Sequence, residues 1–218
     1  MKKDVLININ NYADVLLRTQ MISLPFAQRI LDLGAGSCVL KDVYPFLDSV
    51  ITFTDLEDSE SGTFQLSMKK YIDTDPNARC SNFKFVETSC TDLSMFEDNS
   101  FELVVFSHVI EHLTEEEIDS TLKEIKRVLV PKGNLVVVTP NKTARIIVGT
   151  YMAHADHIEE FTGEELVEML EKYGFVATNN NRSILKVTED NGKQVLEMNV
   201  HNDINTGYFT FLYCENTK

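Results

Sequence analysis

A glycine-rich turn behind a short apolar run constrains the fold of this chain more than any other stretch. The run Ile30–Leu33 breaks into Gly34-Ala-Gly36, and a helix-like segment, Val39–Leu47, follows it. This order predicts a buried strand, a tight turn and a helix, because glycine adopts backbone conformations that other residues avoid and lets a ligand approach closely. Since a helix N-terminus presents free N–H groups and a positive dipole end, the turn suits a nucleotide-like or carboxylate-bearing ligand.

Strand-like and helix-like segments alternate along most of the chain. Further strand-like runs are Val50–Thr54, Phe83–Val86, Phe101–Phe106 and Asn134–Thr139, and further helix-like stretches are 59–72, 114–130 and 162–173. Such alternation predicts βαβ units and hence a doubly wound, Rossmann-like α/β fold, with a mostly parallel sheet and helices on both faces. An amphipathic stretch at 10–24 predicts an appended N-terminal helix, which either lids a ligand or covers a sheet edge.

The pattern changes after residue 175 and becomes typical of antiparallel strands. Segments 184–188 and 194–200 flank an Asn-Gly pair, which is a strong hairpin signal. The alternating, aromatic-rich segment Tyr208–Tyr213 predicts a final strand. No linker, repeat or low-complexity stretch divides the chain, so we expect a single domain over residues 1–218.

The charge of the chain argues against nucleic acid as a general partner. Its 20 Lys and Arg residues face 34 Asp and Glu residues, a net charge of −14, whereas duplex binding needs basic side chains that neutralise phosphates. No apolar run has the length of a membrane span or a signal peptide, so we expect a cytoplasmic protein without membrane contact. The four cysteines show neither a zinc spacing nor a disulfide framework. These observations favour a small-molecule partner and leave a homodimer open.

Polar residues follow the predicted strands at the points where each strand ends. Ligands of doubly wound sheets bind beyond the carboxyl ends of the strands. We therefore expect these residues to share one rim: Gly34, Gly36, Asp55, Cys90–Asp92, Ser107, His108 and Thr139–Asn141.

An ordered series of motifs across residues 29–176 resembles the class I S-adenosylmethionine-dependent methyltransferases. The motifs are Leu31-Asp-Leu-Gly-Ala-Gly36, Asp55 at a strand end, Asp98–Val105, His108-Val-Ile-Glu-His-Leu113, Arg127–Gly133, Val138–Asn141, and His157–Thr162 ahead of a helix ending at Tyr173-Gly-Phe175. The series is most similar to the branch that includes quinone-biosynthesis O-methyltransferases. The resemblance implies an enzyme with S-adenosylmethionine as cofactor. Residues 1–28 would be a helical appendage, 29–140 the cofactor-binding core, and 141–218 the acceptor loop, a helix and the C-terminal strands.

The resemblance also implies roles for individual residues at the cofactor. The turn Gly34-Ala35-Gly36 would approach the methionine and ribose portions, and Asp32 would orient this turn or bind the cofactor's amino group. Asp55 is placed to accept hydrogen bonds from both ribose hydroxyls, because a carboxylate has two acceptor oxygens. The other expected cofactor contacts are Leu56 on the adenine, Thr91, Asp92 and Leu93 in the third loop, where Asp92 is favoured over Cys90, and Ser107.

One position departs from the family's pattern. The first motif usually has a third glycine, and Cys38 stands at that position here. Cysteine is small, so close backbone packing can survive the exchange. The alternative interpretation is an altered cofactor fit, or a cofactor-binding regulatory subunit that has lost activity. The turn also lacks the third glycine of the dinucleotide-binding G-x-G-x-x-G motif, which argues against a dehydrogenase.

Histidines supply the candidates for acid–base chemistry. His108, His154 and His157 are the expected catalytic residues, since imidazole titrates near neutral pH. His108, Glu111, His112 and His157 together also have the residue types of a divalent transition-metal site. We favour a metal-free site. The resemblance implies that Glu111 and His112 cap a helix and line the cofactor pocket, as in the family's many metal-free members.

The sequence thus predicts methyl transfer to oxygen or nitrogen of a small acceptor molecule. A metal-dependent RNA 2′-O-methyltransferase is the alternative suggested by the histidine cluster and Asp156-His-Ile-Glu-Glu-Phe161, but the acidic charge opposes it. The residues that select the acceptor lie in segments 1–28, 142–161 and 178–210, where the resemblance is thinnest. Aromatic residues that either line the acceptor pocket or pack in the core are Tyr12, Tyr151, Tyr208 and Phe209.

Overall fold

Strands form a single sheet through the middle of the molecule. The computed structural model describes residues 16–46, 48–56, 82–149, 152, 154–190 and 193–218. Within these ranges nine strands pair: β1 Arg29–Leu33, β2 Val50–Asp55, β3 Asn82–Glu87, β4 Phe101–Ser107, β5 Leu129–Pro140, β6 Phe175–Ala177, β7 Arg182–Asp190, β8 Lys193–His201 and β9 Gly207–Asn216. Their order is β3-β2-β1-β4-β5-β9-β7-β8, and β6 pairs with β9.

The sheet has a parallel half and an antiparallel half. β1 runs parallel to β2 and β4, β2 to β3, and β4 to β5. β9 is antiparallel to both β5 and β7, and β7 and β8 form the expected antiparallel hairpin. The predicted fold class is therefore confirmed. The strand order reverses between β1 and β4, and this switch point is where doubly wound sheets bind their ligands.

Helices cover the sheet, and threonine caps fix where two of them begin. The described helices are α1 Leu40–Val43, α2 Glu115–Val128, α3 Lys142–Val148 and α4 Gly163–Lys172, with a short 3₁₀ helix at Ile110–His112 and helical residues at 16–22. Thr114 and Thr162 start α2 and α4 with reciprocal capping boxes, as the sequence predicts. The helix expected over 59–72 lies outside the described residues.

The helix after the glycine turn is shorter than the sequence suggests. It ends at Val43 instead of Leu47, because Tyr44 has extended backbone angles (φ −68°, ψ 126°) and precedes Pro45. Proline disfavours helical backbone in the residue before it. β5 starts earlier than the sequence suggests, at Leu129 directly after α2, and Pro131 disfavours helical backbone at Val130 within this added segment.

The sheet separates two hydrophobic layers. Alternate residues of a strand point to opposite faces. Accordingly Ile30 of β1 packs in the layer that contains Met21, from the 16–22 helix, whereas Leu31 packs in the layer of α2 and α4. Full burial of each such aliphatic side chain contributes roughly 1.5–3 kcal/mol to stability. Among the described residues, no helix has the length and apolar composition needed to cross a membrane.

Candidate functional site

Hydrogen bonds to the end of β2 hold the glycine turn that follows β1. The N–H of Ala35 donates to the carbonyl oxygen of Thr54 at 2.8 Å. The N–H of Gly36 donates to Asp55 Oδ2, also at 2.8 Å. The turn and the strand-end acid, which the sequence separates by a helix, are thus joined directly.

Three residues of the turn, Gly34, Gly36 and Cys38, have left-handed backbone angles, and Gly36 has φ +48°. Gly34 has φ +69°, and a Cβ atom at this position would clash with Val109 Cγ2. Cys38, at the site of the family's third glycine, has φ +55° and is fully buried. Its N–H donates to the carbonyl oxygen of Ala35 at 2.7 Å. The cysteine therefore adopts the backbone conformation that glycine takes easily, so the turn keeps a tight shape.

A cavity of about 420 Å³ opens beside this turn, at the switch point between β1 and β4. Its walls are Leu17, Arg18, Met21, Asp32, Gly34–Ser37, Val39, Leu40, Val105, Ser107, His108 and Phe209. Asp32, the glycine turn and Ser107, all expected at the cofactor, therefore lie together. The 16–22 helix forms one wall of the cavity and also packs into the core through Met21. The position beside the cavity is consistent with the first of the two predicted roles, a lid over a ligand, and covering of a sheet edge stays a prediction.

Asp32 is the buried acid of this first cavity. Only 6% of its surface is exposed. Burial, and to a smaller extent the negative charge of Asp55, raises the pKa of Asp32 to about 7. A positively charged group in the cavity would stabilise the ionised carboxylate. The position therefore suits the amino group of an amino-acid ligand.

Asp55 lies beside the turn and is not among the residues that line the cavity. Its Oδ2 accepts from Gly36, and its Oδ1 accepts from the N–H of Leu56 at 2.8 Å. Each oxygen keeps a second lone pair that can accept a hydrogen bond from a hydroxyl group. Leu56 is 53% exposed, so its side chain offers an apolar surface next to the turn.

The third loop, expected to meet the adenine, is held to α2 and away from the first cavity. Asp92 is exposed, and its pKa is lowered first by a hydrogen bond from the Ser94 side chain and then by the Ser94 N–H, which donates to Asp92 Oδ1 at 3.1 Å. Leu93 is buried and donates its N–H to Glu124 Oε2 at 3.0 Å. Thr91 is partly buried, and its hydroxyl lies 2.8 Å from the hydroxyl of Ser89. The structure does not bring these loop residues to the cavity wall.

A second cavity of about 290 Å³ adjoins the first one. It is lined by His108, Glu111, His112, Pro140, Arg145, His154, Asp156, His157 and Phe209. His108 and Phe209 line both cavities, which therefore adjoin at these two side chains. All three predicted catalytic histidines therefore meet here.

Of the aromatic candidates, Phe209 reaches the site, Tyr208 is buried, and residues 12 and 151 lie outside the described part of the chain.

His108 stands at the boundary of the two cavities in a constrained position. Its backbone has φ +58°, and its N–H donates to the carbonyl oxygen of Val138 at 2.8 Å. The imidazole packs edge-on against the ring of Phe209, and its Nδ1 lies 3.3 Å from Glu111 Oε1. These contacts fix the His108 side chain where the two cavities adjoin, and 37% of it stays exposed.

The other imidazoles of the second cavity are held by acceptors in the loop before α4. His157 Nδ1 lies 2.7 Å from Glu160 Oε1, and His112 Nδ1 lies 3.0 Å from the carbonyl oxygen of Asp156. His154 stacks on His157 with ring centroids 4.9 Å apart. Burial, followed by the nearby His157 and an arginine, lowers the pKa of His154 and favours its neutral form.

A buried ion pair in this cavity was missed by the sequence reasoning. Arg145 Nε lies 2.9 Å from Glu160 Oε1, and the two side chains are 4% and 0% exposed. Arg145 also donates to the hydroxyl of Tyr208 at 3.1 Å. One signal was available, because this arginine interrupts the otherwise apolar run Ala144–Val148 and a charge there needs a partner.

The strand order, the antiparallel strand β9 beside β5 and the glycine turn at the switch point define the Rossmann-like fold of the methyltransferases. Residues 31–137 match the family described as a methyltransferase domain. The chain therefore contains a methyltransferase domain over residues 31–137, and its cofactor is S-adenosylmethionine. The enzyme class that the sequence predicts is thereby confirmed.

Solved structures with the same fold come from distant organisms. A SAM-dependent methyltransferase from Thermotoga maritima, described as a possible histamine N-methyltransferase, has TM-score 0.65 at 16% identity, covering 94% of this chain and 90% of its own. SAM-dependent methyltransferases from Methanosarcina mazei (TM-score 0.62, 19% identity, 88% and 94% covered) and Archaeoglobus fulgidus (0.66, 16%, 92% and 93%) are similar. At such identities the likeness shows the fold alone. No curated protein matches the sequence significantly.

Proposed function

We propose that the enzyme methylates an oxygen or nitrogen of a small molecule held in the second cavity. The observation that carries this proposal is that His108 and Phe209 line both cavities. Ligands in the two cavities would therefore meet at this boundary. Methyl transfer needs an in-line approach of the two reacting atoms, and holding them in that orientation is the enzyme's main contribution. A volume of about 290 Å³ favours a small acceptor.

The first cavity has the features that S-adenosylmethionine requires. When bound, this cofactor supplies a methyl group on a positively charged sulfur. The Gly34–Gly36 turn lines the cavity, and its two glycines leave the backbone there accessible to the cofactor. Asp32 would pair with the amino group, and the free lone pairs of Asp55 would accept the ribose hydroxyls. The adenine contacts of Leu56 and the third loop stay predictions.

His108 is the residue that we assign to the acceptor's reacting group. It stands between the two cavities, and an imidazole there can hydrogen-bond a hydroxyl or amine and accept its proton. The other two expected bases, His154 and His157, line the second cavity but not the first. We therefore place His108 at the reaction and the other two in the wall of the acceptor cavity.

This proposal keeps the division of the chain into a cofactor-binding core and an acceptor-binding part. Residues 29–140 contribute the turn and Asp32 to the first cavity. Both parts line the second cavity, with His108, Glu111, His112 and Pro140 from 29–140 and Arg145, His154, Asp156 and His157 from 141–218. Phe209 crosses this division, since it contacts both cavities.

Calorimetry and a product assay test the proposal together. We expect S-adenosylmethionine and S-adenosylhomocysteine to bind, and a screen of small alcohols, phenols and amines to yield a methylated product. An RNA-end substrate forms a second arm of the screen. Methylation of RNA with no small-molecule product would refute the proposed acceptor class, and absence of binding by both cofactor forms would refute the cofactor site.

The variant His108→Gln tests the assigned residue. We expect kcat to fall by about 10²- to 10⁴-fold, the usual contribution of a positioned proton acceptor, while the Kd for S-adenosylmethionine changes little. His201→Gln is the matched control, because His201 pairs with Glu197 and lines neither cavity. Equal activity of the two variants would remove His108 from the reaction.

A further inference from the structure

One buried carboxylate in the wall of the second cavity lacks a complete set of hydrogen bonds. Glu111 lines this cavity but not the first one, and its side chain is 1% exposed. Its Oε2 accepts from the hydroxyl of Thr139 at 3.0 Å. Among the described residues, Oε1 receives no hydrogen bond of good geometry, although His108 Nδ1 lies 3.3 Å away. A buried carboxylate oxygen without a donor is costly, so a ligand that supplies the donor would bind favourably.

The permanent positive charge of this cavity is already matched by another acid. Arg145 Nε lies 2.9 Å from Glu160 Oε1, and the two side chains are 4% and 0% exposed. Among the described residues, no other arginine and no lysine lines the cavity. An anionic acceptor would therefore have to compete with Glu160 for Arg145, whereas Glu111 has no permanent cation of its own. This distribution of charge favours a ligand that carries a positive group.

Ring side chains form much of the remaining wall of the second cavity. The ring of Phe209 packs against the imidazole of His108, with centroids 5.2 Å apart. The ring of His157 stacks on His154 and stands nearly perpendicular to that of His112, with centroids 4.9 and 4.8 Å apart. Aromatic faces attract cations, and proteins use such walls to recognise ammonium groups. The rings and the carboxylate of Glu111 thus favour the same kind of ligand.

We propose that Glu111 Oε1 binds the ammonium group of a small primary or secondary amine, and that this amine is the methyl acceptor. A hydrogen bond between an ammonium group and a carboxylate is charge-assisted, so it is stronger than one from a neutral hydroxyl. The inference rests on the proposed function and narrows it, because nitrogen and not oxygen then receives the methyl group. Glu111 is thereby the residue that determines which acceptor class the cavity takes.

This binding mode also accounts for the proton that the amine must lose. An ammonium group on Glu111 Oε1 is within reach of the His108 imidazole, since His108 Nδ1 lies 3.3 Å from that oxygen. His108 accepts one proton from the ammonium group, which leaves a neutral amine with a lone pair. This lone pair forms the bond to the methyl carbon, the carbon–sulfur bond breaks, and its electron pair stays on sulfur. The product is a methylated ammonium group.

Asp156 is the rival acid in the same cavity. Its side chain is 64% exposed, and its oxygens lie 3.4 Å from His112 Nδ1 and 3.9 Å from His154 Nδ1. Solvent screens exposed charges, and an exposed side chain loses conformational freedom when it pairs, so exposed ion pairs contribute little. Glu111 is buried and held by Thr139, so its carboxylate is already positioned. The ammonium group is therefore assigned to Glu111.

Paired acceptors test the assignment. The panel contains small amines, each matched with the alcohol of the same skeleton, such as benzylamine with benzyl alcohol and phenethylamine with phenethyl alcohol. Two quantities are measured with the full-length enzyme: kcat/KM for methylation, and calorimetric binding to the enzyme loaded with S-adenosylhomocysteine. We expect amines to exceed their alcohols in both, and Glu111→Gln to lower the amine-to-alcohol ratio roughly 10- to 100-fold, as for loss of a hydrogen bond to a charged group. Loss of folded protein cancels in this ratio, so the ratio reports specificity and not stability.

The controls and outcomes separate this proposal from the proposed function. Glu197→Gln makes the same change at a residue that lines neither cavity, and it should leave the ratio unchanged. Methylation of alcohols without amines, or an amine-to-alcohol ratio that is the same in Glu111→Gln and wild type, would overturn the ammonium site while the proposed function stands. A larger effect of Asp156→Asn than of Glu111→Gln would also overturn it. Amine binding that depends on Glu111, together with methylation of RNA alone, would support the ammonium site and refute the proposed function.

Discussion

Cys38 shows how a single residue can keep the shape of the cofactor turn. Its left-handed backbone, with φ +55°, costs an L-residue roughly 1–2 kcal/mol. Complete burial of its small side chain and the hydrogen bond to Ala35 offset this cost. The exchange of glycine for cysteine thus changes the local energetics of the turn but leaves its path intact. An inactive protein is not required to explain the missing third glycine.

Gly34 is a residue whose substitution separates backbone strain from steric obstruction. Gly34→Ala should lose stability through its positive φ, about 1–2 kcal/mol, and through the clash of its Cβ with Val109. It should also weaken S-adenosylmethionine binding. Gly149→Ala is the matched control, since Gly149 has φ +75° and a Cβ atom added there would meet nothing within 4 Å. Urea unfolding and calorimetry measure both effects, and equal losses in the two variants would contradict the steric argument.

Asp32 should make stability depend on pH. Its pKa in the folded protein, about 7, lies above the ordinary value of about 3.9, so the unfolded chain loses this proton first and rising pH disfavours the fold. Asn removes the charge, so Asp32→Asn should gain stability relative to wild type, by roughly 2–3 kcal/mol more at about pH 8 than at about pH 5. Urea unfolding at both pH values tests this, and a constant difference would argue against a raised pKa.

The 16–22 helix is the element that couples the cofactor cavity to the core. Leu17, Arg18 and Met21 form one wall of the first cavity, and Met21 also belongs to the apolar layer beneath it. A ligand in the cavity therefore contacts this helix directly. Elements of this kind, with one face on a ligand site, are commonly less stable than the rest of a fold until the ligand binds.

Hydrogen exchange tests this coupling at the level of the element. S-adenosylmethionine should slow amide exchange in residues 16–24, because binding adds contacts that exist only when the helix is in place. α2 is the internal control, since it lies in the other hydrophobic layer and does not line the first cavity. Equal slowing in both elements would indicate global stabilisation alone.

Elements with strong local signals could be predicted from the sequence, and those set by long-range contacts could not. The capping boxes of α2 and α4 and the β7–β8 hairpin have residue patterns that act locally. The buried pair of Arg145 and Glu160 depends on segments that meet only in three dimensions. The strand ends likewise predicted that His108 lies at the ligand rim, but only the folded structure shows that it lines two cavities.

On the scale of the whole molecule, the cofactor site draws on both the parallel and the antiparallel halves of the sheet. Asp32 and Val105 come from β1 and β4, whereas Phe209 comes from β9. Ligand binding therefore stabilises the fold in which both halves of the sheet are formed. By linkage, a ligand that binds only the folded chain raises the free energy of unfolding.

Thermal unfolding measures this linkage. S-adenosylmethionine at about 100 times its Kd should stabilise the protein by about 2.7 kcal/mol, which corresponds to roughly 5–10 °C in Tm for a chain of this size. S-adenosylhomocysteine should act similarly, because it keeps the amino-acid and ribose groups. ATP, which lacks the amino-acid portion, is the control ligand. An equal shift with ATP would show that Asp32 and the turn do not select the cofactor.

The position of β9 has a consequence for how the chain reaches its fold. β9 comes after the other strands in the sequence, yet it lies inside the sheet, where Asn134 of β5 pairs with Glu215 and β7 covers its other edge. During synthesis, the edge of β5 that pairs with β9 therefore stays unpaired until the intervening residues have been made. Unpaired strand edges promote association between chains, and such distant pairings slow folding. We expect newly made chains to be most vulnerable to aggregation, and most dependent on chaperones, in the interval before β9 inserts.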